Sequence, residues 1–374
     1  MLKGFYLTLL IGPGLPAPAP KVVMDAVLSV QASNGGARGG FQITFAVSKP
    51  SDLTRVLIPA GYFDPGIRVC IVVTVGGMPN VLMDGIITRH ELAPSNTPGG
   101  STFTITGEDL SVLMDIVEMP FMRWPCMPAP ARVLAILAKY AIFGIVPVVI
   151  PPIFLDVPIP TDKIPAQTKT DLNYIQALGQ QNGHVFYIDP GPAPLSNVAY
   201  WGPEFVIPNP QPALRINMDA DTNVESLTFS LDGLSKKITI QTIFDPVTGS
   251  IPIPIPVPNI SLLEPPLGVR LTAPMKVEFP DDSTKLGSLK AIALALARGV
   301  GATQEVTASG QLNVLRYGRV LKARQMVGVA GASLAYDGMY YVKSVTSNIK
   351  NGEFKQSFSL SRDGLISQTP KVVP

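Results

Sequence analysis

Between Lys21 and Thr106 apolar and polar positions alternate in short runs: "VVMDAVLSVQAS", "GGFQITFAVS", "RVCIVVTVGG", "VLMDGIITRHEL" and "STFTITGED". Gly, Pro and Asn clusters separate them. Period-two alternation puts successive side chains on opposite faces, the pattern of a half-buried strand. Short strands in such close succession predict a small antiparallel barrel. At Asp109 the period lengthens. "EDLSVLMDIV" and "PARVLAILAKYAIF" read as helices, with Pro130 suited to a first helical position. In "TKTDLNYIQALGQQNGHVFYIDPG", Thr170 is the expected N-cap. Leu172, Ile175 and Leu178 form the apolar stripe, and Gly183 stops the helix before the strand "HVFYID".

From Ala213 the strand pattern returns in "LRINMDADTNVESLTFSLDG" and "KKITIQTIFD". The run "IPIPIPVPNI", residues 251–260, lacks an amide donor at every second position, so it cannot be a central strand and is expected as an extended or polyproline-like arm. A last helix is expected in "STKLGSLKAIALALARG", capped by Asp282 or Ser283 and stopped by Gly299. The closing strands run from Thr307 to Leu365. Among them, Tyr340, Val342 and Val345, the Asn351-Gly352 turn, and Phe354, Phe358 and Leu360 read as a hairpin.

Composition sharpens this into a mainly β (α+β) fold. The chain has 374 residues with 46% hydrophobic and 15% charged content, enough for real cores, and its 38 prolines and 33 glycines favour short strands over long helices. The expected division is a first β-barrel at 1–112, an inserted α/β region at 113–212, and the start of a second barrel at 213–245. A Pro-rich arm and helix packing with the insert follow at 246–304, then the remainder of the second barrel at 305–366 and a tail at 367–374. A formal charge of +2 gives no field that calls for nucleic acid or an anionic membrane.

Neither apolar segment that imitates a targeting signal reads as one. At the start, the apolar part is only Phe5 to Ile11, with Thr8 inside it, and it is read as a first strand followed by a Pro-rich loop. Residues 133–160 are the most hydrophobic part of the chain, but Lys139, Pro147, Pro151 and Pro152 interrupt any bilayer-spanning run. A buried helix followed by an extended segment is expected there. Cys70 and Cys126 cannot make a disulfide framework; Cys70 lies in an apolar run as a small core group, which suits folding in a reducing cytoplasm.

Candidate chemistry is sparse. His90 and His184 lie at strand ends and are read as structural or surface histidines, and no zinc ligand set is evident. "DADTNV" opens like a calcium loop at Asp219, Asp221 and Asn223. However, Val224 stands where glycine is required and Ser230 where the bidentate glutamate is required. Carboxylate pairs such as Glu108/Asp109 are ordinary surface features. The expectation is therefore no catalytic residue, no cofactor, no metal and no enzyme.

Several segments taken together resemble one family, the baseplate hub proteins of contractile phage tails and related injection systems (late control protein D and VgrG-type hubs). They are "YFDPGIRVCIVVTVGGMPNVLMDGIITRHEL", with its Asp84 to Arg89 strand, and "FTITGEDLSVLMD", with its Thr106 to Leu110 junction. The Leu172-Ile175-Leu178-Gly183-Phe186-Tyr187 helix and strand also match, as does a closing element from Asp337-Gly338 through Tyr340-Tyr341-Val342 and Val345 to Arg362-Asp363-Gly364. The resemblance covers most of the chain. Residues 140–165 and 245–268 depart from it in being more apolar and Pro-rich, and no spike-like extension follows "SRDG".

The resemblance implies a homotrimer whose two similar barrels per subunit form a pseudo-sixfold ring, a symmetry adaptor between a hexameric inner tube protein and a trimeric spike protein. Baseplate or wedge proteins would be further partners. No nucleic acid binding and no stable membrane insertion are expected. The protein would assemble in the cytoplasm into a tail or injection particle. It further implies that the late strands and the apolar insert supply subunit contacts, with Pro-rich arms clasping neighbours. The competing classes are a secreted β-barrel binding module or adhesin, and a tail-associated cell-wall hydrolase, which would need an acid/base carboxylate in a cleft.

Overall fold

The computed structural model describes residues 4–36, 38–97, 99–152, 157–158, 164–204, 210–234, 237–244, 252–257, 267–271, 273, 276–278, 305–350 and 352–368. The first strands are β1 (Phe5–Gly12), β2 (Val27–Asn34), β3 (Gly40–Ala46), β4 (Arg68–Val75), β5 (Met78–Ala93) and β6 (Thr102–Asp109). They lie in the sheet order β2-β3-β6-β5-β4-β1. Alternation does what it predicts: along β3 it buries Phe41, Ile43 and Phe45 and leaves Gln42 exposed. The opening apolar segment is β1, a sheet strand with Leu9 and Ile11 in the core.

Two local expectations need correction. "VVMDAVLSVQAS" is not one strand, because a short helix, Lys21–Asp25, precedes β2. Pro20 leads into it, and the Val23 and Met24 amides donate to the Pro20 carbonyl. "EDLSVLMDIV" forms a 3-10 turn, Leu110–Asp115, rather than an α-helix. Asp109 caps it by accepting from the Ser111 amide at 2.8 Å.

The insert contains α1 (Ala129–Ala138), β7 (Ile145–Val149), α2 (Asp171–Asn182), β8 (Val185–Pro190) and β9 (Asn197–Gly202). Pro130 is the second residue of α1 rather than the first. The caps of α2 match the sequence reading: Thr170 Oγ1 accepts from the Asn173 amide at 3.3 Å, and Gly183 turns the chain at φ 65°. Strands β8, β9 and β7 make a separate sheet, with β7 parallel to β9. Pro147 sits in β7, the outer strand, where a missing donor is tolerated. A second apolar cluster, including Leu110, Val133, Ile136, Ile175 and Trp201, holds these elements against β5 through Ile86. No helix among the described residues is long and apolar enough to cross a membrane.

The strands that follow are β10 (Gln211–Arg215), β11 (Val224–Leu231), β12 (Val306–Asn313), β13 (Met326–Ala330), β14 (Gly338–Lys350) and β15 (Glu353–Arg362). Their order is β11-β12-β15-β14-β13-β10. This is the topology of the first six, strand for strand, except that β10 is parallel to β13 whereas β1 is antiparallel to β4. The β14–β15 hairpin expected around Gly352 is present, with Gly352 at φ 76°. The fold is mainly β, as the sequence predicts, and the two six-strand modules are fused: β14 pairs with β2, so both belong, with the two-residue strand Ala17–Pro18 beside β1, to one 13-stranded sheet over a continuous core.

Strand Lys237–Phe244 lies outside this sheet, in a smaller one with Pro252–Val257 and Lys276–Glu278. The arm at 251–260 is therefore an edge strand along Pro252–Val257. Alternation gathers the prolines' missing donors on one edge, which suits an outer position. The helix expected at 283–299 lies outside the described residues.

One tight contact offers a test. A Cβ on Gly107 in β6 would stand 2.3 Å from the Ile86 carbonyl and 2.4 Å from the Phe41 ring. Gly107→Ala is expected to cost about 1–3 kcal/mol through overpacking, read as a lower urea midpoint at unchanged m-value.

Candidate functional site

Three buried or half-buried arginines hold the fold: two fix the modules to the insert and the third closes the final hairpin. Arg68 on β4 and Asp84 on β5 each stand alone in an apolar run, and each side chain is only 1% exposed. Asp84 accepts from Arg68 Nε at 2.8 Å and Nη2 at 2.7 Å, and from Asn197 Nδ2 of β9 at 2.8 Å. Arg68 also donates to the Phe143 carbonyl at 2.9 Å. The pair thus ties the first module to the insert. Gly85 beside it is obligatory, since a Cβ there would lie 2.1 Å from the Glu108 carbonyl. This is the physical content of the Asp84-Gly85 dipeptide.

Arg324, just before β13, donates to Asp189 of β8 and, at 2.9 Å, to the Gly36 carbonyl. Its guanidinium lies 3.8 Å from the centroid of the Tyr187 ring. Burial raises the pKa of Asp189, and the Arg324 charge opposes that shift. Arg362, 1% exposed, donates to the carbonyls of Gly364, Asp337 and Ala335 at 2.7, 2.9 and 2.8 Å, and lies 4.5 Å from the Tyr340 centroid. It closes the two ends of the final hairpin on each other. Gly338 stands at φ 124° with no room for a side chain, because a Cβ would meet Ser367 at 2.2 Å.

The residues considered for chemistry are dispersed. His90 Nδ1 lies 3.2 Å from the Phe63 carbonyl, on an exposed part of β5. His184 packs edge-on against Trp201, and burial lowers its pKa to about 4. Asp219 and Asp221 fall in a 3-10 turn, and Asn223 serves the backbone, accepting from the Arg215 amide and donating to the Ala213 carbonyl. Glu108 pairs with Arg38, while Asp109 caps the turn already described. Cys70 is buried, with its thiol pushed up to about 12, and Cys126 is exposed. Among the described residues no group of three or more His, Cys, Asp or Glu gathers to hold a metal.

What the fold does present is strand edge. β5 pairs with β4 through residues 78–86 and with β6 through residues 85–93, so its distal half, from Thr88, has one edge outside the described ladders. β11 ends the long sheet and, among the described residues, pairs with β12 alone. The insert adds exposed apolar side chains at Ile116, Val117, Phe121, Ile142 and Val146.

No family model matches the sequence, and no curated protein matches it. Solved structures do match across nearly the whole chain. A tail protein from Neisseria meningitidis MC58 is 14% identical, covers 97% of this chain and 98% of its own, and has a TM-score of 0.60. The 43 kDa tail protein of prophage MuSo2 from Shewanella oneidensis is 12% identical, with coverages of 97% and 100% and a TM-score of 0.62. The chain shares the fold of phage tail proteins. The E. coli c3393 protein, described as a type VI secretion component with structural similarity to the T4 tail proteins gp27 and gp5, is 11% identical. Its coverages are 93% and 77%, with a TM-score of 0.50.

The buried anchors give two tests. Asp84→Asn leaves the Arg68 charge buried without its counter-charge and is expected to cost about 3–5 kcal/mol, read by chemical denaturation. His184 is neutral when folded and takes up its proton more readily when unfolded. The stability it contributes is whole above pH 6.5 and is lost as pH falls toward about 4. Between pH 6.5 and 5 the thermal midpoint should therefore fall, with a shallower slope in His184→Gln.

Proposed function

We propose that the chain is a structural hub of a contractile tail or injection system, a homotrimer that joins a hexameric inner tube to a trimeric spike. The observation that carries this reading is the internal duplication. One chain holds two six-strand modules of the same order, so three chains around an axis supply six like modules. A surface of this kind can meet sixfold symmetry on one face and threefold symmetry on the other.

The division into modules at 1–112 and at 213–245 with 305–366, with the insert at 113–212 between them, belongs to the same proposal, except that strand Lys237–Phe244 lies in the smaller sheet and not in the second module. So does the role of the apolar insert as a contact surface. The likeness to tail proteins and to a type VI secretion component supports the reading at the level of fold. In this reading the chain acts by geometry. Its buried arginines hold the modules and the insert at a fixed setting, and the recognition surfaces are strand edges and apolar patches.

The experiment is coexpression with the neighbouring tube and spike proteins, followed by negative-stain imaging and mass analysis. The expected result is a threefold particle with sixfold modulation, bound to tube or spike. A chain that stays monomeric and copurifies with neither would overturn the proposal.

A further inference from the structure

Bulges and cross-strand rungs fix which residues of the two modules correspond. In the first module Ile87 of β5 faces Gly107 of β6, Gly107 faces Phe41 of β3, and Phe41 faces Ala32 of β2. In the second, Val342 of β14 faces Leu360 of β15, Leu360 faces Ala308 of β12, and Ala308 faces Phe229 of β11. Each rung starts beside a bulge, at Ile87/Arg89 and at Val342/Ser344. A second bulge recurs at the far end, at Val27/Ser29 in the β2–β3 pair and at Val224/Ser226 in the β11–β12 pair. With both bulges and the rung in register, β5 corresponds to β14 and β2 to β11, residue by residue.

The chain already shows how two such modules join. The distal part of β14, Val345 to Lys350, leaves β13 behind and pairs antiparallel with Asn34 to Ser29 of β2. The counterpart of that part of β14 is the distal half of β5, and the counterpart of β2 is β11. Both counterparts end in an edge outside the described ladders. Exposure follows the same division. Val345 and Ser347, covered at the internal joint, are 3% and 4% exposed, whereas Leu92, the counterpart of Ser347, is 49% exposed. Leu231 on β11, the counterpart of Asn34, is 39% exposed.

We infer that the distal half of β5 adds as a strand to β11 of a second copy of this chain, repeating the internal β14–β2 joint between subunits. The inference rests on the trimeric reading and adds to it a surface, a partner strand and a register. Transferring the register rung for rung places His90 opposite Leu231, Glu91 opposite Ser230, Leu92 opposite Phe229 and Ala93 opposite Thr228. At the internal joint the hydroxyls of Ser33 and Thr346 meet at 2.9 Å. Their counterparts are Ser230 and Glu91, a hydroxyl donor and a carboxylate acceptor, so the same hydrogen bond can form with added charge. On the opposite face Leu92 meets Phe229, an apolar rung in place of Ser347 and Ala32. The contact is head-to-tail, so it generates a ring when three chains close, and it pairs the amides that an open sheet edge leaves exposed.

Cysteine pairs test the register. Residues directly opposite in an antiparallel ladder have Cα atoms about 4.5–5.5 Å apart, within disulfide reach. In a Cys126→Ser background, Glu91→Cys with Ser230→Cys is oxidised in the chain coexpressed with its tube and spike proteins. Ser33→Cys with Thr346→Cys is the intrachain reference, expected to lose both introduced thiols while the chain forms no covalent dimer or trimer. Glu91→Cys with Ser226→Cys is the offset control, displaced by about 13 Å along the strand.

The expected result is covalent dimers and trimers from the 91/230 pair, reversed by reductant, with at least tenfold less from the 91/226 pair. A trimer seen by imaging in which 91/230 stays unlinked, or in which both pairs link equally, overturns this joint and leaves the adaptor reading standing. A chain that remains monomeric beside its partners overturns both.

Discussion

An unpaired strand edge is the constraint around which this molecule is arranged. A β-strand satisfies its backbone only when both edges find donors and acceptors or water, and a twisted open sheet always has two edges left over. Within the chain one edge of each module is consumed at the β14–β2 joint, which merges two six-strand modules into a single sheet over one core. The modules cannot then rotate independently, because every rung of the joint fixes both side-chain faces. Among the edges that remain, those on β5 and β11 belong to the same two strands of the motif in the complementary modules.

Fixing the sheet does not fix the insert, which has its own sheet and its own apolar cluster. Three polar contacts do that work from opposite ends. Arg68 and Asp84 reach Asn197 and Phe143 from the first module, and Arg324 reaches Asp189 from the second. A fully buried ion pair is poor value as a source of net stability, since desolvating both charges offsets much of their attraction. Its effect is directional: the forked guanidinium and the carboxylate accept only one relative placement of β4, β5 and β9. Such rigidity is what the proposed adaptor role would require.

Much of this was legible in the sequence, for identifiable reasons. Strands with strict alternation were readable because half-buried sheet imposes period two, and α2 was readable because Thr170 and Gly183 carry their capping chemistry in their residue types. The Leu110–Asp115 turn was misjudged because a short apolar run next to a cap looks the same whether it winds as α or 3-10. The Lys21–Asp25 helix was lost in a run whose valines favour strand. Arg68 and Asp84 were missed as a pair, although a lone charge within each of two apolar runs was the available signal. Asn197 carried none, since an asparagine in a polar loop context gives no hint that it will be buried against a carboxylate.

The duplication itself was implied only by resemblance, and the physical reason is instructive. Structure preserves which backbone positions face one another, and the side chains at those positions are free to differ as long as each core is filled. Ala32 and Phe229 occupy the same rung, as do Gly107 and Leu360, and Phe41 and Ala308. The large and small residues change places: one module puts its bulk on the strand corresponding to β3, the other on those corresponding to β2 and β6. Identity at each position is lost while each core is filled by a different set of residues, which close packing permits. The bulges survive because an extra residue cannot be removed from a strand without turning every following side chain to the other face. The repeat is therefore written in irregularities of the ladder, at Leu28 and Glu225 and at Thr88 and Lys343, rather than in matching residues.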